Sequence, residues 1–189
     1  KKEFTFFKNS KLKTIIFLGR LTSVKKIDLL IKSVNKLNSK IVKFNLLIIG
    51  EGPQKSLLKK ISKKGLDKGW IYFYGKTYDE SELSKLIYSS DLMVSPGNTG
   101  LNAVHALSYG TPVATHNNFN KQMPEAAIIE VKKTGFFFNE NDSDDLSFNI
   151  ELWFSKFSFN TTQLERRGII DEKYNPEYQV KIILEALDI

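Results

Sequence analysis

Short, nearly uninterrupted apolar runs alternate along the first 140 residues with longer stretches in which apolar positions recur every three or four residues. Thr14–Gly19 (TIIFLG) is the first such run, followed by Leu29, Leu30, Ile31, Val34 and Leu37 at helical spacing. Phe44–Ile49 (FNLLII) stops at Gly50-Glu51-Gly52-Pro53, and Leu57, Leu58 and Ile61 then predict an amphipathic helix closed by Gly65. Ile71–Tyr74 ends at Gly75, and Asp79 with Glu82 three residues on marks the next helix start, with Leu83, Leu86 and Ile87 inside. Leu92-Met93-Val94 leads into Ser95-Pro96-Gly97-Asn98-Thr99-Gly100 and a helix carrying Leu101, Val104, Ala106 and Leu107. Val113–Thr115 is a further strand behind Gly110-Thr111-Pro112, with strand-like pieces at Ile128–Val131 and Phe136–Phe138. Beyond residue 140 the pattern turns helical, from Asp144 to about Trp153 and from Pro176 to Leu187, with a polar loop at Ser158–Thr162.

Strands that are apolar on both faces and alternate with helices predict a parallel sheet covered on both sides, the doubly wound, Rossmann-like α/β class. Such sheets take ligands beyond the carboxyl ends of their strands, so the strand-end loops are where function is expected. A length of 189 residues fits one domain, and 41% apolar residues with 14 Phe and 7 Tyr supply its core. The absence of Cys removes disulfides and thiolate chemistry, and two His cannot build a His-rich metal centre. No apolar run is long enough to span a bilayer and residues 1–13 are too rich in Lys for a secretion signal, so a cytoplasmic protein is expected. The net charge of +7 points to polyanions: nucleic acid, a membrane surface or phosphorylated small molecules. Only three of the 28 basic residues are Arg, whereas base readout favours Arg, and the Lys of residues 55–68 come with no aromatic platform. No nucleic-acid partner is therefore expected, and most of the Lys are read as a solvated surface.

Four strand-end loops carry the candidate chemistry. Gly19-Arg20-Leu21 with Lys25 and Lys26 can bring a guanidinium fork and an ammonium onto a diphosphate. Gly50-Glu51-Gly52-Pro53 is a tight turn with one acid, and it does not make a G-x-G-x-x-G fingerprint. Gly97, Asn98, Thr99, Gly100, Leu101 and Asn102 combine backbone freedom with a helix start whose N–H groups at 99–102 would face an anion. His105, one to two turns into that helix, can hydrogen-bond a ligand hydroxyl. Gly75-Lys76-Thr77-Tyr78 offers backbone groups and one cation after the third strand.

Taken in order, these segments resemble the C-terminal, donor-binding domain of retaining GT-B glycosyltransferases of the group 1, family 4 type. The resemblance spans roughly residues 11–140. It is carried by Gly19-Arg20-Leu21 with Lys25 and Asp28–Ile31, by Leu47–Pro53, Tyr72–Gly75 and Ser90–Pro96, and by Ala106–Val113, Pro124-Glu125 and Thr134–Phe137. It implies a domain that binds a nucleoside-diphosphate sugar, paired with an N-terminal domain that holds a glycan or lipid-linked acceptor. The sequence is accordingly read as one domain over 1–189, closed by helices from about 144, that lacks its acceptor half and is expected to bind donor without turnover. By the resemblance Arg20 and Lys25 hold the diphosphate and serve catalysis by stabilising the leaving group, with no metal or other cofactor. The residues 98–102 offer N–H groups to phosphate and sugar, and Gly75 and Lys76 lie near the base. Bacterial surface polysaccharide synthesis is the implied setting, with a peripheral contact between the Lys-rich helix and the anionic inner face of the membrane.

The family's usual pair of Glu, eight residues apart, falls here on Gly97 and His105. His105 keeps the capacity to meet a ribose hydroxyl. Gly97 removes a carboxylate beside the sugar, for which Glu51 and Glu125 are the substitutes on offer. Lys26 stands where the family has Gly and is expected to add positive charge to the same mouth. Asp142-Ser143-Asp144-Asp145 contains an Asp-x-Asp spacing but is read as helix-capping acids. The missing acidic pair leaves an alternative open, a GT-B-like domain that binds nucleotide or glycan without catalysis.

Overall fold

The computed structural model describes residues 4–187. Six parallel strands form one sheet: β1 Lys13–Leu18, β2 Phe44–Ile49, β3 Ile71–Gly75, β4 Leu92–Ser95, β5 Val113–His116 and β6 Gly135–Phe138. Their spatial order is β3-β2-β1-β4-β5-β6, so the winding reverses between β1 and β4. The helices are α1 Ile27–Leu37, α2 Lys55–Ile61, α3 Lys63–Asp67, α4 Glu80–Ser89, α5 Leu101–Ser108, α6 Ser143–Leu152, α7 Gln163–Lys173 and α8 Pro176–Ala186. The predicted doubly wound class is the one observed.

The two-residue period of a strand divides the core between the faces of the sheet. Ile15, Phe17, Leu46 and Ile48 pack with α1 and α6 and with Trp70 and Trp153. Ile16, Leu47 and Ile49 point the other way, onto Leu83, Leu86 and Ile87 of α4 and Ala103, Ala106 and Leu107 of α5. Every residue of β2 is buried, which is why its sequence shows no polar alternation. Each of these fully buried side chains contributes roughly 2 kcal/mol relative to exposure.

Three expectations need correction. Residues 55–68 form two short helices that break at Ser62, so Gly65 lies inside α3 and the chain turns at Gly69 instead. Ile128–Val131 is not a strand: Pro124–Ile128 is a 3-10 turn and only Val131 bridges to Gly135. Thr134 explains this, because its hydroxyl accepts from Glu130 N–H at 2.7 Å and its own N–H donates to Glu130 O at 2.9 Å, which closes a turn where a strand would have to run. The third correction is α7, a helix between the expected polar loop at Ser158–Thr162 and the helix from Pro176. It opens with a reciprocal cap between Thr162 and Glu165, the S/T-x-x-E signature that was present in the sequence. The acids at 142–145 do cap, with Asp142 accepting from the N–H groups of Asp144 and Asp145.

Arg166 of α7 locks this C-terminal part onto the sheet domain. It is 7% exposed. Its Nε donates to Gly110 O at 2.7 Å and its Nη1 to Thr161 O and Oγ1 at 2.5 and 2.9 Å. Arg166→Ala leaves those acceptors without a charged donor and is expected to lower unfolding free energy by about 2 kcal/mol. Urea denaturation checks this, and an unchanged midpoint would show that the lock is dispensable.

Candidate functional site: the crevice at the strand ends

Where the winding reverses, α1 and α5 leave the sheet on opposite faces and a crevice opens between the loops after β1 and β4. The loops after β1, β2 and β3 are laced side by side. Gly19 N–H donates to Ile49 O at 3.0 Å, Leu21 N–H to Glu51 O at 2.9 Å and Gly50 N–H to Gly75 O at 2.8 Å. They enclose a cleft of about 430 Å³ lined by Gly19, Arg20, Gly50, Glu51, Gly52, Lys76, Thr77 and Tyr78, within the size range of small-molecule sites. Gly50 is required here, since its φ is +140° and a Cβ would lie 1.9 Å from Gly19 O.

Residues from three of the four strand-end loops singled out by sequence thus share one wall. Arg20 is exposed in it, and its guanidinium makes no hydrogen bond or ion pair with another described residue. Glu51 is paired with Lys55, the first residue of α2, so its charge is already balanced. Lys76 is exposed at the rim.

Lys25, at the end of the 3-10 turn that follows β1, spans the crevice to the loop after β4. Its Nζ donates to Asn98 O at 3.0 Å and to Asn98 Oδ1 at 2.9 Å, and its own carbonyl accepts from Gly97 N–H at 3.1 Å. Burial pushes its pKa below the ordinary lysine value, so an anion beside it would be favourable. A Cβ on Gly97 would sit 2.1 Å from Val24 O, which excludes any side chain at that position in this backbone. The absent acid is therefore a geometric consequence of how closely the two loops approach.

The helix start of α5 is only partly free. Thr99 N–H donates to Gln122 Oε1 at 2.8 Å and Gly100 N–H to Asn102 Oδ1 at 3.0 Å, so two of the four expected donors are used internally. Leu101 and Asn102 N–H groups make no hydrogen bond with a described residue and carry the positive end of the helix. The Asn102 side chain is occupied, donating to Ser95 Oγ at 2.8 Å. Gln122 has no local sequence signal. It lies 23 positions from Thr99 and clamps the loop by also donating to Thr115 Oγ1 at 2.9 Å and His116 O at 3.0 Å.

Two further expectations change. Lys26 does not add free charge to the mouth, because it donates to Glu140 Oε1 at 2.8 Å, and Asn118 and Lys121 hold the same carboxylate. Lys26 above all, with Asn118, brings the pKa of Glu140 down to about 2. His105 donates to Glu80 Oε1 at 2.8 Å, and Tyr109 OH meets the same oxygen at 2.5 Å. These contacts, Tyr109 first, hold the Glu80 carboxyl below its usual range. A carboxylate absent from α5 is thus present beside it, on the first turn of α4. Glu125 sits on the 3-10 turn against α5 with one carboxylate oxygen buried and unpartnered.

The described residues hold no group of three acidic or His side chains placed to bind a metal, and no described helix is long and apolar enough to cross a membrane. What the crevice brings together is a free guanidinium, a half-buried ammonium and unpaired helix N–H groups, an arrangement suited to phosphate.

Known proteins share this architecture. An uncharacterized glycosyltransferase of Haemophilus influenzae is 27% identical over 168 residues, covering 87% of this chain and 46% of its own length. A mutant of S. aureus TarM in complex with Fondaparinux, alpha-GlcNAc-glycerol and UDP superposes with a TM-score of 0.75 at 21% identity over 98% of this chain and 37% of its own. Anabaena HepE in complex with UDP gives 0.74 at 19% identity over 95% and 49%. The lipopolysaccharide outer core galactosyltransferase WaaB gives 0.77 at 15% identity over 100% and 54%. The chain therefore spans about half, or less, of each of these relatives. The profile of the group 1 glycosyl transferases matches residues 1–163, and the chain belongs to that family.

Proposed function

We propose that this chain binds the nucleoside-diphosphate sugar donor of a glycosyltransferase that transfers a hexosyl group with retention to a glycan or lipid-linked acceptor, in the synthesis of bacterial surface polysaccharide. The observation that carries the reading is Arg20, an unpaired guanidinium in the wall of the strand-end cleft, with Lys25 and the free N–H groups of Leu101 and Asn102 across the crevice. Negative charge grows on the leaving diphosphate as the glycosidic bond breaks, and fixed cations and N–H dipoles stabilise it without reorganisation. Arg20 and Lys25 are the catalytic candidates in this reading. Gly19, Gly50, Gly52, Gly75, Gly97, Asn98, Thr99 and Gly100 shape the backbone around the donor, and Lys76 and His105 meet its base and ribose. The acceptor is assigned to sequence outside these residues, as the relatives' greater length suggests, so the chain alone is expected to bind donor without turnover.

Two of the related structures carry UDP, which makes it the first ligand to try. In a thermal-shift and calorimetric titration, UDP and UDP-sugars are expected to raise the melting temperature, and Arg20→Ala to weaken binding by at least about tenfold, near 1.4 kcal/mol. Arg20 is the informative variant because it holds nothing else in place, whereas Lys25→Ala also releases Asn98. A chain blind to UDP, GDP and their sugars would defeat the donor reading. Equal affinity in wild type and Arg20→Ala would defeat the phosphate assignment alone.

Gly97 favours a second reading, a donor-binding domain without catalytic power. The two readings part at Gly97→Glu, which restores the family's acid on paper. Because any Cβ there meets Val24 O, we expect this variant to lower both the melting temperature and UDP affinity. Improved binding with intact stability would show that the loop can open and that the missing acid is a true loss.

We also propose a peripheral contact with an anionic leaflet. Lys59, Lys60, Lys63, Lys64 and Lys68 are exposed on and beside α2 and α3, and none makes an ion pair with a described residue. Leu57 and Ile61, 52% and 37% exposed, stand among them. Co-sedimentation with vesicles containing phosphatidylserine should exceed that with phosphatidylcholine alone and fall in Lys60→Glu/Lys64→Glu. Equal recovery on both vesicle types would end this proposal.

A further inference from the structure

A second cavity lies away from the strand-end crevice, between edge strand β6, the end of α6 and the turn that follows it. It measures about 400 Å³, and its walls are Phe136, Phe137, Leu152, Trp153 and Phe157. Lys132 and Lys156 are its charged lining residues, both are exposed, and no acidic residue lines it. Neither Lys makes an ion pair with a described residue.

The backbone around this cavity departs from regular structure in two places. Trp153–Phe157 is a π-helical turn in which Ser158 N–H donates to Trp153 O at 2.8 Å, which shifts Lys156 and Phe157 out of the register of α6. Lys132 has φ +67°, a left-handed conformation unfavourable for a residue with a side chain. It is held there from both ends: its N–H donates to Gly135 O at 3.0 Å and its carbonyl accepts from Asn160 Nδ2 at 3.2 Å. The result places Nζ 5.4 Å from the centroid of the Phe157 ring. Strain persists where the surroundings over-determine it, and such positions gather at ligand clamps. Trp153 adds a second cost, an indole N–H buried with no acceptor.

The lining narrows the chemistry of an occupant. Aromatic and aliphatic walls do not replace the hydration of a small inorganic anion, so phosphate alone is disfavoured. Two uncompensated ammonium groups disfavour a cation and leave a neutral tail without a reason for their placement. We propose that this cavity binds the apolar tail of a single-chain anionic amphiphile, an alkyl carboxylate or alkyl phosphate, with its head group between Lys132 and Lys156. The site stands apart from the donor crevice and does not depend on the donor reading.

The test uses the 189-residue chain with Trp70→Phe, so that emission reports Trp153, and calorimetry in parallel. Probes are dodecanoate, dodecyl phosphate, dodecanol and inorganic phosphate, each below any micelle-forming concentration. Saturable binding of both anionic amphiphiles is expected, with dodecanol and phosphate at least about tenfold weaker. The ratio between dodecanoate and dodecyl phosphate identifies the preferred head group. Lys132→Gln/Lys156→Gln should lower affinity for the anionic probes by about tenfold while leaving dodecanol unchanged. Binding of dodecanol as tight as dodecanoate, no effect of the double variant on a protein with unaltered melting temperature, or no saturable binding by either method would overturn the proposal.

Discussion

At Gly97 the loop after β4 comes so close to the loop after β1 that one added methyl group would lie 2.1 Å from Val24 O. Much of the crevice follows from that approach. It lets Gly97 N–H reach Lys25 O, it brings Asn98 under the Lys25 ammonium, and it aims the first turn of α5 across the gap. The loops would otherwise diverge, because α1 and α5 lie on opposite faces of the sheet. Three hydrogen bonds over one short span replace the strand pairing that ends at Ile16 and Met93. Thr115 secures the far side, with its hydroxyl donating to Ser95 O at 2.8 Å.

The same geometry sorts the basic residues into working and neutralised charges. Lys26 follows Lys25 directly, yet its left-handed backbone turns it toward Glu140, which also takes Asn118 and Lys121. Lys55 is spent on Glu51. Arg20 is left exposed in the cleft, and its planar fork suits phosphate better than an ammonium does. The excess of Lys over Asp and Glu, so prominent in the composition, therefore says little about the crevice, where one Arg and one half-buried Lys set the local field.

The fold was legible because buried parallel strands leave an unambiguous trace: β2 is six apolar or buried positions between turn residues, and its bounds match the reading to the residue. The cap of α4 at Asp79 was equally readable, since its signal is local. Ile128–Val131 misled because an apolar run carries no information about the side-chain bond from Thr134 that bends it into a turn. Helix α7 was missed despite its cap because its interior is strongly charged. At the site, Gly19, Arg20 and Lys25 could be named from residue type and spacing. Gln122, Glu140 and Glu80 could not, because each reaches its partner from another strand-end segment, 23, 114 and 25 positions away respectively.

A division of labour between backbone and side chains is consistent with structures at 15–21% identity keeping this architecture. On the proposed reading, the phosphate-facing part of the crevice is built from N–H groups, glycine-dependent close approaches at Gly50, Gly52 and Gly97, and two cations. On the same reading, discrimination among bases and sugars falls to the side chains around it. In this chain those are Glu51, Lys76, Thr77 and the 88% exposed Tyr78 around the cleft, together with His105 and the Glu80 carboxylate it holds. Glu80 of α4 places a negative group beside α5, while the tight turn at Gly97 carries none. On the proposed reading, donor choice in this chain is set by the pairing of α4 with α5, and phosphate binding by the approach of the two loops.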